Sequence, residues 1–322
     1  MKLGILGFGY MGTLRFAAAA ARDDCEVVRI YHTSPDVPRP HAARWEEVTD
    51  DPRIEAIHVC LPTWLTAAAT CRALEAGKHV LAEKPPGTTL SETKRMVDAA
   101  RASGRTLQFG FDLRQHPSIR QLRALVAERA LGEIRWARGV YGKPKPTDFE
   151  ASWRADPERA GAGILLDQGI HLLDVLATIA GPFPEIAALA RTDPGARVED
   201  DVMVVLRSET GALASLHSSQ HQSPPRFALE VGLSAGCIAL EGLLTRSGRY
   251  GPERIAWGPL DRPRAHERSF GSADPWADEL TAFLRAVREG SEPPDGSAAQ
   301  ALALMGLVER IYAASGVRVR ER

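Results

Sequence analysis

The sequence predicts an α/β protein: a parallel, doubly wound sheet at the N-terminus and an α+β domain with a large open, mostly antiparallel sheet after it. Over residues 1–111, short apolar segments of β character alternate with helical segments, the pattern of right-handed βαβ units. From residue 132 onward, β-like segments follow one another through short turns, which favours an antiparallel or mixed sheet. We therefore place one domain at residues 1–116 and a second at 117–322.

Each element is predicted from its apolar period and its boundary residues. In the first domain we expect strands at 2–6, 26–31, 54–61, 78–82 and 106–111, and helices at 13–22, 64–76 and 91–103, the last with Ser91 as N-cap. In the second domain we expect strands at 133–141, 185–191, 201–207, 212–218, 226–233 and 236–240, and helices at 117–130, 166–179, 274–288 and 297–314. We expect the last helix to pack back on the first domain.

Composition excludes several classes of protein. The 322 residues are 44% hydrophobic and carry a formal net charge of -1, which gives no indication of a nucleic-acid or membrane partner. No apolar run approaches the roughly 18 residues of a membrane helix, and Arg15 interrupts the N-terminal apolar stretch that resembles a secretion signal. The four cysteines show no C-x-x-C spacing, so we expect reduced thiols and a cytoplasmic location.

A glycine-rich turn follows the first predicted strand. Gly7, Gly9 and Gly12 have the spacing G-x-G-x-x-G directly before a helix. In that context the first glycine permits the turn, the second leaves room for a pyrophosphate, and the third allows close helix packing. The turn predicts a Rossmann domain that binds a dinucleotide, although glycine-rich turns also occur without a ligand.

The end of the second strand bears on which dinucleotide binds. An NAD site usually has an acidic residue there for the ribose 2′-OH, whereas this chain has His32, Thr33 and Ser34, with Arg39 and Arg44 nearby. Hydroxyls and cations suit a 2′-phosphate better than a free diol. We therefore expect NADP or NAD, with NADP favoured; the alternative is a solvated loop.

Two further groups of residues suggest chemistry. Glu83, Lys84 and Pro85 lie at the carboxyl end of a predicted parallel strand, where open α/β sheets bind ligands, so Lys84 is a candidate to exchange a proton with a substrate hydroxyl. A surface lysine is the alternative.

In the predicted helix 166–179, Asp167, His171 and Asp174 fall at i, i+4 and i+7 and form one polar stripe. A flexible glycine entry, residues 161–163, precedes it. The stripe suggests a proton-handling site with His171 as acid or base. An exposed helix face and a metal site are the alternatives, although no second ligand cluster is evident.

The remaining histidines carry weaker signals. One interpretation places His217, Gln220 and His221 along the same cleft from the sheet, but satisfied or exposed loop histidines are favoured. His41, His58 and His79 show no partner in the sequence.

Taken together, three segments resemble the Gfo/Idh/MocA (glucose-fructose oxidoreductase / inositol dehydrogenase) family: GFGYMG, AGKHVLAEKPPG at 76–87 and WRADPERAGAGILLDQGIHLLD at 153–174. The resemblance implies a Rossmann domain, a C-terminal domain with an open sheet, and hydride transfer between NAD(P) and a secondary alcohol or ketone of a sugar, cyclitol or polyol. It implies that Lys84 is the active-site lysine, that the bond before Pro85 is cis, and that Asp167 and His171 bind and deprotonate substrate.

We expect Trp153 and Arg154 to contact substrate as well. Cofactor contacts are expected at Gly7, Phe8, Gly9, Tyr10, Met11, Gly12, His32, Thr33, Ser34, Leu61, Pro62, Thr63, Glu83, Lys84 and Pro85. The chain departs from the family pattern in lacking the acid after strand two and in having Thr63 and Thr66 where the family often has Asn and His.

The leading hypothesis is an NAD(P)-dependent dehydrogenase or reductase that acts on CH-OH groups of a carbohydrate-like substrate. The alternatives are a redox-neutral glycoside-cleaving enzyme with tightly bound NAD, and a non-catalytic dinucleotide sensor. An open sheet would expose an apolar face, so we expect a homodimer or homotetramer through that sheet.

Overall fold

The computed structural model describes residues 1–34, 36–38, 40–243, 245–246 and 249–317. Two sheets dominate it: a parallel sheet whose strands lie within residues 2–110, and a larger, mostly antiparallel sheet whose strands lie within residues 134–270. The predicted fold class is confirmed.

The parallel sheet has the strand order β3-β2-β1-β4-β5-β6, in which the order reverses beside β1. Its strands are β1 (Lys2–Leu6), β2 (Glu26–Tyr31), β3 (His41–Ala42), β4 (Ala56–Val59), β5 (His79–Glu83) and β6 (Leu107–Gly110). Its helices are α1 (Tyr10–Ala20), α2 (Glu46–Thr49), α3 (Thr63–Glu75) and α4 (Leu90–Ser103). Because ligands bind where the strand order of an open sheet reverses, this topology places a binding cleft at the carboxyl ends of β1 and β4.

Two details of this domain differ from prediction. The N-cap of α4 is Thr89 and not Ser91, because the Thr89 side chain accepts a hydrogen bond from the backbone N of Glu92 at 3.2 Å. The crossover after β2 also contains the short elements β3 and α2, which are too brief to produce an apolar period.

The second sheet has eight strands in the order β16-β15-β12-β11-β7-β10-β9-β8, and all neighbours are antiparallel except β7 and β10. The strands are β7 (Ile134–Pro144), β8 (Glu185–Arg191), β9 (Asp201–Arg207), β10 (Leu213–Ser219), β11 (His221–Leu233), β12 (Gly236–Glu241), β15 (Glu253–Pro259) and β16 (His266–Phe270). A separate pair comprises β13 (Thr245–Arg246) and β14 (Arg249–Tyr250).

Strands β15 and β16 were not predicted. In β16 the first four residues are exposed and polar, so this edge strand has no alternation to recognise. Strand β11 also begins earlier than expected, at His221, through a stretch that contains two prolines.

Helices α5 (Pro117–Glu128) and α7 (Ile170–Ala180) pack on the large sheet, whereas the short α6 (Pro157–Ala160) contacts α3. The last two helices, α8 (Pro275–Glu289) and α9 (Ala298–Ser315), return to the first domain: α8 contacts α1, and α9 contacts α4 and β6 as well as β8. Helix α8 also contributes Trp276 to the lining of the cleft described below.

Among the described residues, one helical stretch, Pro157–Ala180, has the length and apolar composition of a membrane-crossing helix. The expectation that no apolar run approaches that length is therefore wrong. Within its apolar window, 78% is buried inside the protein, as in the core helix of a soluble domain.

Candidate active site

A cleft of about 810 Å³ lies between the two sheets. Its floor on one side is formed by the glycine turn after β1 and by the ends of β4 and β5, and on the other side by β7 and the start of α7. The cleft thus lies where the topology of the parallel sheet places a ligand.

The glycine turn is shaped for a bound phosphate. Gly7 has φ +90°, and a Cβ on it would lie 2.4 Å from the carbonyl oxygen of Cys60, while a Cβ on Gly12 would lie 2.0 Å from the oxygen of Gly7. In contrast, a Cβ on Gly9 would meet no atom within 4 Å. Gly9 is the N-cap of α1, so open space faces the N-terminus of that helix, which fits a dinucleotide pyrophosphate.

Most of the expected cofactor contacts line the cleft. They are Gly7, Gly9, Tyr10, Met11, His32, Thr33, Leu61, Pro62, Thr63, Glu83, Lys84 and Pro85. Three do not: Gly12 packs against Gly7, the ring of Phe8 packs on Phe16 with centroids 5.5 Å apart, and Ser34 accepts a hydrogen bond from the backbone N of Asp36 at 3.3 Å.

The position that decides between NAD and NADP lies at the end of β2. The backbone N of Phe8 donates to Nδ1 of His32 at 3.3 Å, and Nε2 of His41 lies 3.0 Å from the His32 carbonyl oxygen. Thr33 and Arg44 are exposed. Arg39, the other expected phosphate ligand, lies outside the described residues.

Lys84 and Asp167 meet across the cleft. Nζ of Lys84 donates to the carbonyl oxygen of Asp167 at 2.5 Å and lies 3.3 Å from its Oδ1. Burial alone would raise the pKa of Asp167, but the charges of Lys84, Arg154 and Lys143 hold it well below its ordinary value. Asp167 is therefore ionised at neutral pH. The peptide bond between Lys84 and Pro85 is cis, as the resemblance implied.

His171 is a buried histidine in the lining of the cleft. Its residue is 7% exposed, and burial, followed by the charge of Lys84, lowers its pKa to about 4. Its Nδ1 lies 3.5 Å from Oδ1 of Asp112, and the hydroxyl of Tyr250 donates to the other oxygen of that carboxylate at 2.9 Å. No sequence motif points to Asp112, which lies in a 3-10 turn just after β6.

The predicted stripe of three polar residues is wrong at its third member. Residues Leu165–Gly169 form a π-helical turn before α7, and Asp174 points away from the cleft to Arg114. The two guanidinium–carboxylate contacts are 2.5 and 2.7 Å long and buried. Arg114 belongs to the same 3-10 turn as Asp112, so one turn supplies a partner to His171 and another to Asp174.

The glycine entry to this segment is packed and not flexible. A Cβ on Gly163 would lie 1.9 Å from the Glu199 carbonyl oxygen. The buried Glu199 carboxylate accepts hydrogen bonds from the backbone N of Gly163 at 2.8 Å, from that of Leu165 at 3.2 Å and from the Tyr312 hydroxyl at 2.7 Å. These contacts fix where the segment that carries Asp167 and His171 begins.

Behind Lys84, a buried Arg15 of α1 links β5 to α8. Its guanidinium contacts Glu83 at 2.7 Å and Glu279 of α8 at 2.5 Å. Burial raises the pKa of Glu279 to about 8, against the opposing charge of Arg15. One arginine thus contacts two buried acidic side chains, and one of these, Glu83, immediately precedes Lys84.

The outer part of the cleft is aromatic and cationic. The rings of Trp64 and Trp153 meet edge to face with centroids 5.4 Å apart, and the guanidinium of Arg154 lies 4.4 Å from the Trp153 ring. Gln168 and Gln220 also line the cleft, and the carboxamide oxygen of each is buried without a hydrogen-bond partner among the described residues.

The other histidines have structural surroundings. Nε2 of His217 pairs with Asp201 at 2.8 Å, Nδ1 of His79 accepts from the backbone N of Thr106 at 3.1 Å, and His58 is buried against Phe283 with its pKa lowered to about 3 by burial. Of the three sheet residues considered for the cleft, Gln220 lines it and His217 and His221 do not.

Among the described residues, Asp193, Asp200 and His221 bring possible metal-ligand atoms within 4.8 Å of one another. They lie outside the cleft lining, and Asp167, His171 and Asp174 do not form such a group.

The fold and the cleft define a two-domain oxidoreductase with an NAD(P)-binding Rossmann domain. Residues 1–111 match the "Oxidoreductase family, NAD-binding Rossmann fold" and residues 119–239 match the "GFO/IDH/MocA C-terminal domain". The chain belongs to the Gfo/Idh/MocA family.

The names of similar proteins support this assignment. A dTDP-3,4-didehydro-2,6-dideoxy-alpha-D-glucose 3-reductase of Streptomyces violaceoruber is 30% identical over 74% of this chain and 68% of its own length. A levoglucosan dehydrogenase of Pseudarthrobacter phenanthrenivorans is 27% identical over 69% of this chain and 68% of its own length. The structure of a 3-ketoreductase from Actinomadura kijaniata in complex with NADP and TDP-benzene has a TM-score of 0.83 and 25% identity, covering 98% of this chain and 97% of that one.

These relatives are dehydrogenases and reductases, which supports the oxidoreductase hypothesis over the redox-neutral and sensor alternatives.

Proposed function

We propose that this protein transfers a hydride between NAD(P) and a secondary alcohol or ketone of a sugar, cyclitol or polyol. The observation that carries the proposal is the convergence of Lys84, Asp167 and His171 in one cleft beside the glycine turn. The sugar chemistry in the names of the relatives supports this class of substrate.

His171, Asp112 and Lys84 have different roles in the proposed proton transfer. His171 is neutral at pH 7 because its pKa is about 4, so it can accept the hydroxyl proton. Asp112, 3.5 Å from Nδ1, orients the ring and stabilises the imidazolium that forms, which leaves Nε2 for the substrate. Lys84 donates a hydrogen bond to the reacting oxygen and stabilises its developing negative charge. The nicotinamide, when bound, supplies the hydride acceptor or donor.

The outer cleft suits a polyhydroxylated ring. Trp64 and Trp153 offer apolar faces and edges to the sugar ring, and Gln168 and Gln220 are polar side chains in the cleft lining.

The function is tested by following absorbance at 340 nm with NAD⁺ and NADP⁺ against a panel of aldoses, inositols and polyols, and with NADH and NADPH against the corresponding ketones. We expect net cofactor reduction or oxidation with at least one pair. Product formation without net cofactor change would support the redox-neutral alternative, and a panel without any turnover by a cofactor-loaded protein would contradict the proposal.

We further propose that NADP is the preferred cofactor, because no carboxylate follows β2 at the ribose position. Titrations with NADPH and NADH, followed by cofactor fluorescence, should give tighter binding of NADPH, and Arg39→Ala together with Arg44→Ala should remove the difference. Preference for NADH would show that the interpretation of His32, Thr33 and Ser34 is wrong.

We propose that two copies associate through the open face of the large sheet. That face carries exposed apolar side chains on adjacent strands: Leu189 (79% exposed) pairs in register with Met203 (56%), and Val205 and Leu213 lie nearby. Light scattering should give the mass of a dimer or tetramer, and Met203→Lys should reduce it, whereas Leu260→Lys, an exposed leucine away from this face, should not. A monomeric wild-type mass would contradict this proposal.

We propose a cytoplasmic location. All four cysteines are unpaired in the structure, which suits a reducing compartment. Fractionation of cells expressing the full-length protein, with the chain recovered in the membrane or an extracytoplasmic fraction, would contradict it.

A further inference from the structure

Lys143 is a cleft residue that no motif in the sequence indicates. It lies near the end of β7, where side chains alternate between the two faces of the sheet. Gly139 and Tyr141 are buried against the helix side, and Lys143, two residues further on, lines the cleft from the same face. Lys143 is exposed to solvent.

The charges of three cations, Lys84, Arg154 and Lys143, act on one carboxylate, that of Asp167. Asp167 Oδ1 lies 3.3 Å from Lys84 Nζ and 3.9 Å from Arg154 Nε. Lys143 has no carboxylate within 4.0 Å among the described residues, although the charges of Asp167, Lys84 and Arg154 all act on it. One negative charge cannot neutralise three positive ones.

The remaining carboxylates of the cleft are not available to Lys143. Asp112 accepts the Tyr250 hydroxyl and lies beside His171, and Glu83 is held by Arg15. Asp148 is exposed on a loop and forms no ion pair with the three cations among the described residues.

Grouping like charges in a partly desolvated cleft is unfavourable. Burial lowers the pKa of Lys143, the attraction of Asp167 opposes this, and the smaller repulsions from Lys84 and Arg154 add to the lowering. An anion bound between Lys143 and Arg154 would relieve this repulsion.

We infer that the substrate is an anionic sugar or polyol whose carboxylate or phosphate is bound by Lys143 together with Arg154. This inference rests on the proposed function and specifies its substrate class. Lys84 and His171 take the reacting hydroxyl, the Trp64 and Trp153 rings contact the sugar ring, and Lys143 and Arg154 take the charged substituent.

The test compares sugars that differ only in charge, using calorimetry on enzyme saturated with NADPH. The matched sets are D-glucose, D-glucuronate and D-glucose 6-phosphate, and D-galactose, D-galacturonate and D-galactose 6-phosphate. Because a hydrogen bond to a charged group contributes about 1.5–3 kcal/mol, an anionic member should bind about 10-fold or more tightly than its neutral parent. Whether the uronate or the phosphate binds more tightly identifies the source of the charge.

Two variants locate the effect. Lys143→Gln should abolish the preference for the anionic member and, for a substrate that turns over, raise KM with little change in kcat. Lys145→Gln removes the same charge two residues away at a position outside the cleft lining, and the preference should persist. Increasing NaCl should weaken the preference in wild type, because salt screens accessible charges.

The inference is overturned if no anionic member binds more tightly than its neutral parent, or if Lys143→Gln retains the preference. The two proposals can fail separately. Turnover of neutral sugars at 340 nm without an anion preference would contradict the anionic substrate and support the proposed oxidoreductase activity. An anion preference in a protein that turns over no sugar would support the anion site and contradict the proposed activity.

Discussion

Lowering the pH from neutral toward 4.5 should destabilise the folded protein through His171. The ring is buried, and its pKa is about 4 compared with the ordinary value of 6.5. Because the unfolded chain binds the proton first as pH falls, this histidine's contribution to stability is present above about pH 6.5 and is lost as pH approaches 4.

The size of the effect follows from the two pKa values. At about 1.36 kcal/mol for each pKa unit, the free energy of unfolding should fall by about 2.5 kcal/mol between pH 7.5 and pH 4.5 on account of His171 alone. His58, whose pKa is about 3 for the same reason, contributes in the same direction, so the His171 part must be isolated by a variant.

Urea unfolding of wild type and His171→Asn, each followed by tryptophan fluorescence at several pH values, isolates it. The difference in unfolding free energy between the two proteins should shift by about 2.5 kcal/mol in favour of the variant as pH falls from 7.5 to 4.5. Parallel curves would show that His171 titrates near 6.5 and would refute its assignment as a buried neutral base.

The same pKa governs the rate of alcohol oxidation. Since a base must be unprotonated to accept a proton, kcat/KM should remain level down to about pH 5 and fall only below it, provided that the substrate does not titrate. Asp112→Asn should lower kcat, because its charge favours the imidazolium; a normal kcat in that variant would exclude the positioning role.

Substitutions in and around the cleft should separate folding from function. The Gly9→Ala variant should fold normally, because the new Cβ meets nothing within 4 Å, but its NADPH binding, measured by fluorescence, should be weaker. The Gly12→Ala variant should lose thermal stability as well, because its Cβ would lie 2.0 Å from a carbonyl oxygen. Asp174→Asn should reduce the unfolding free energy with the KM for substrate unchanged, whereas Asp167→Asn should affect turnover more than stability. Arg15→Met should cost about 3–5 kcal/mol in urea unfolding, because the buried Glu83 carboxylate loses its cation.

Each of these comparisons has an outcome that contradicts it. Equal NADPH affinity in wild type and Gly9→Ala would place the pyrophosphate elsewhere. A loss of activity in Asp174→Asn at unchanged stability would restore the predicted polar stripe. For Arg15, the control is Arg72→Met, which breaks an exposed pair with Asp50 and should cost less than about 1 kcal/mol; equal costs would contradict the structural role of the buried pair.

Elements with strong local signals could be predicted from the sequence. Strands β2, β8 and β9 have the predicted limits, because each combines apolar or alternating residues with clear boundaries. The polar edge strand β16 has no such pattern, and it forms by antiparallel pairing with β15. Edge strands of this kind depend on their neighbours more than on their own sequence.

The residues of the candidate site likewise fall into those that the sequence predicts and those that it does not. Lys84, Asp167 and His171 lie in motifs, and the structure brings them into one cleft. Asp112 and Lys143 were not found, because their importance arises only when distant segments meet. Asp174 was misplaced because an ideal α-helical period ignores both the π-helical turn before α7 and the competing Arg114.

The central claim is that Lys84 and His171 act on a substrate hydroxyl beside a bound nicotinamide. The most direct measurement is the rate of the 340 nm absorbance change on mixing substrate with cofactor-loaded wild type, Lys84→Met and His171→Asn, with cofactor affinity measured in parallel. We expect both variants to lose about 100-fold or more in rate when saturated with cofactor, and His171→Asn to bind NADP(H) like wild type. Wild-type rates in either variant would contradict the account.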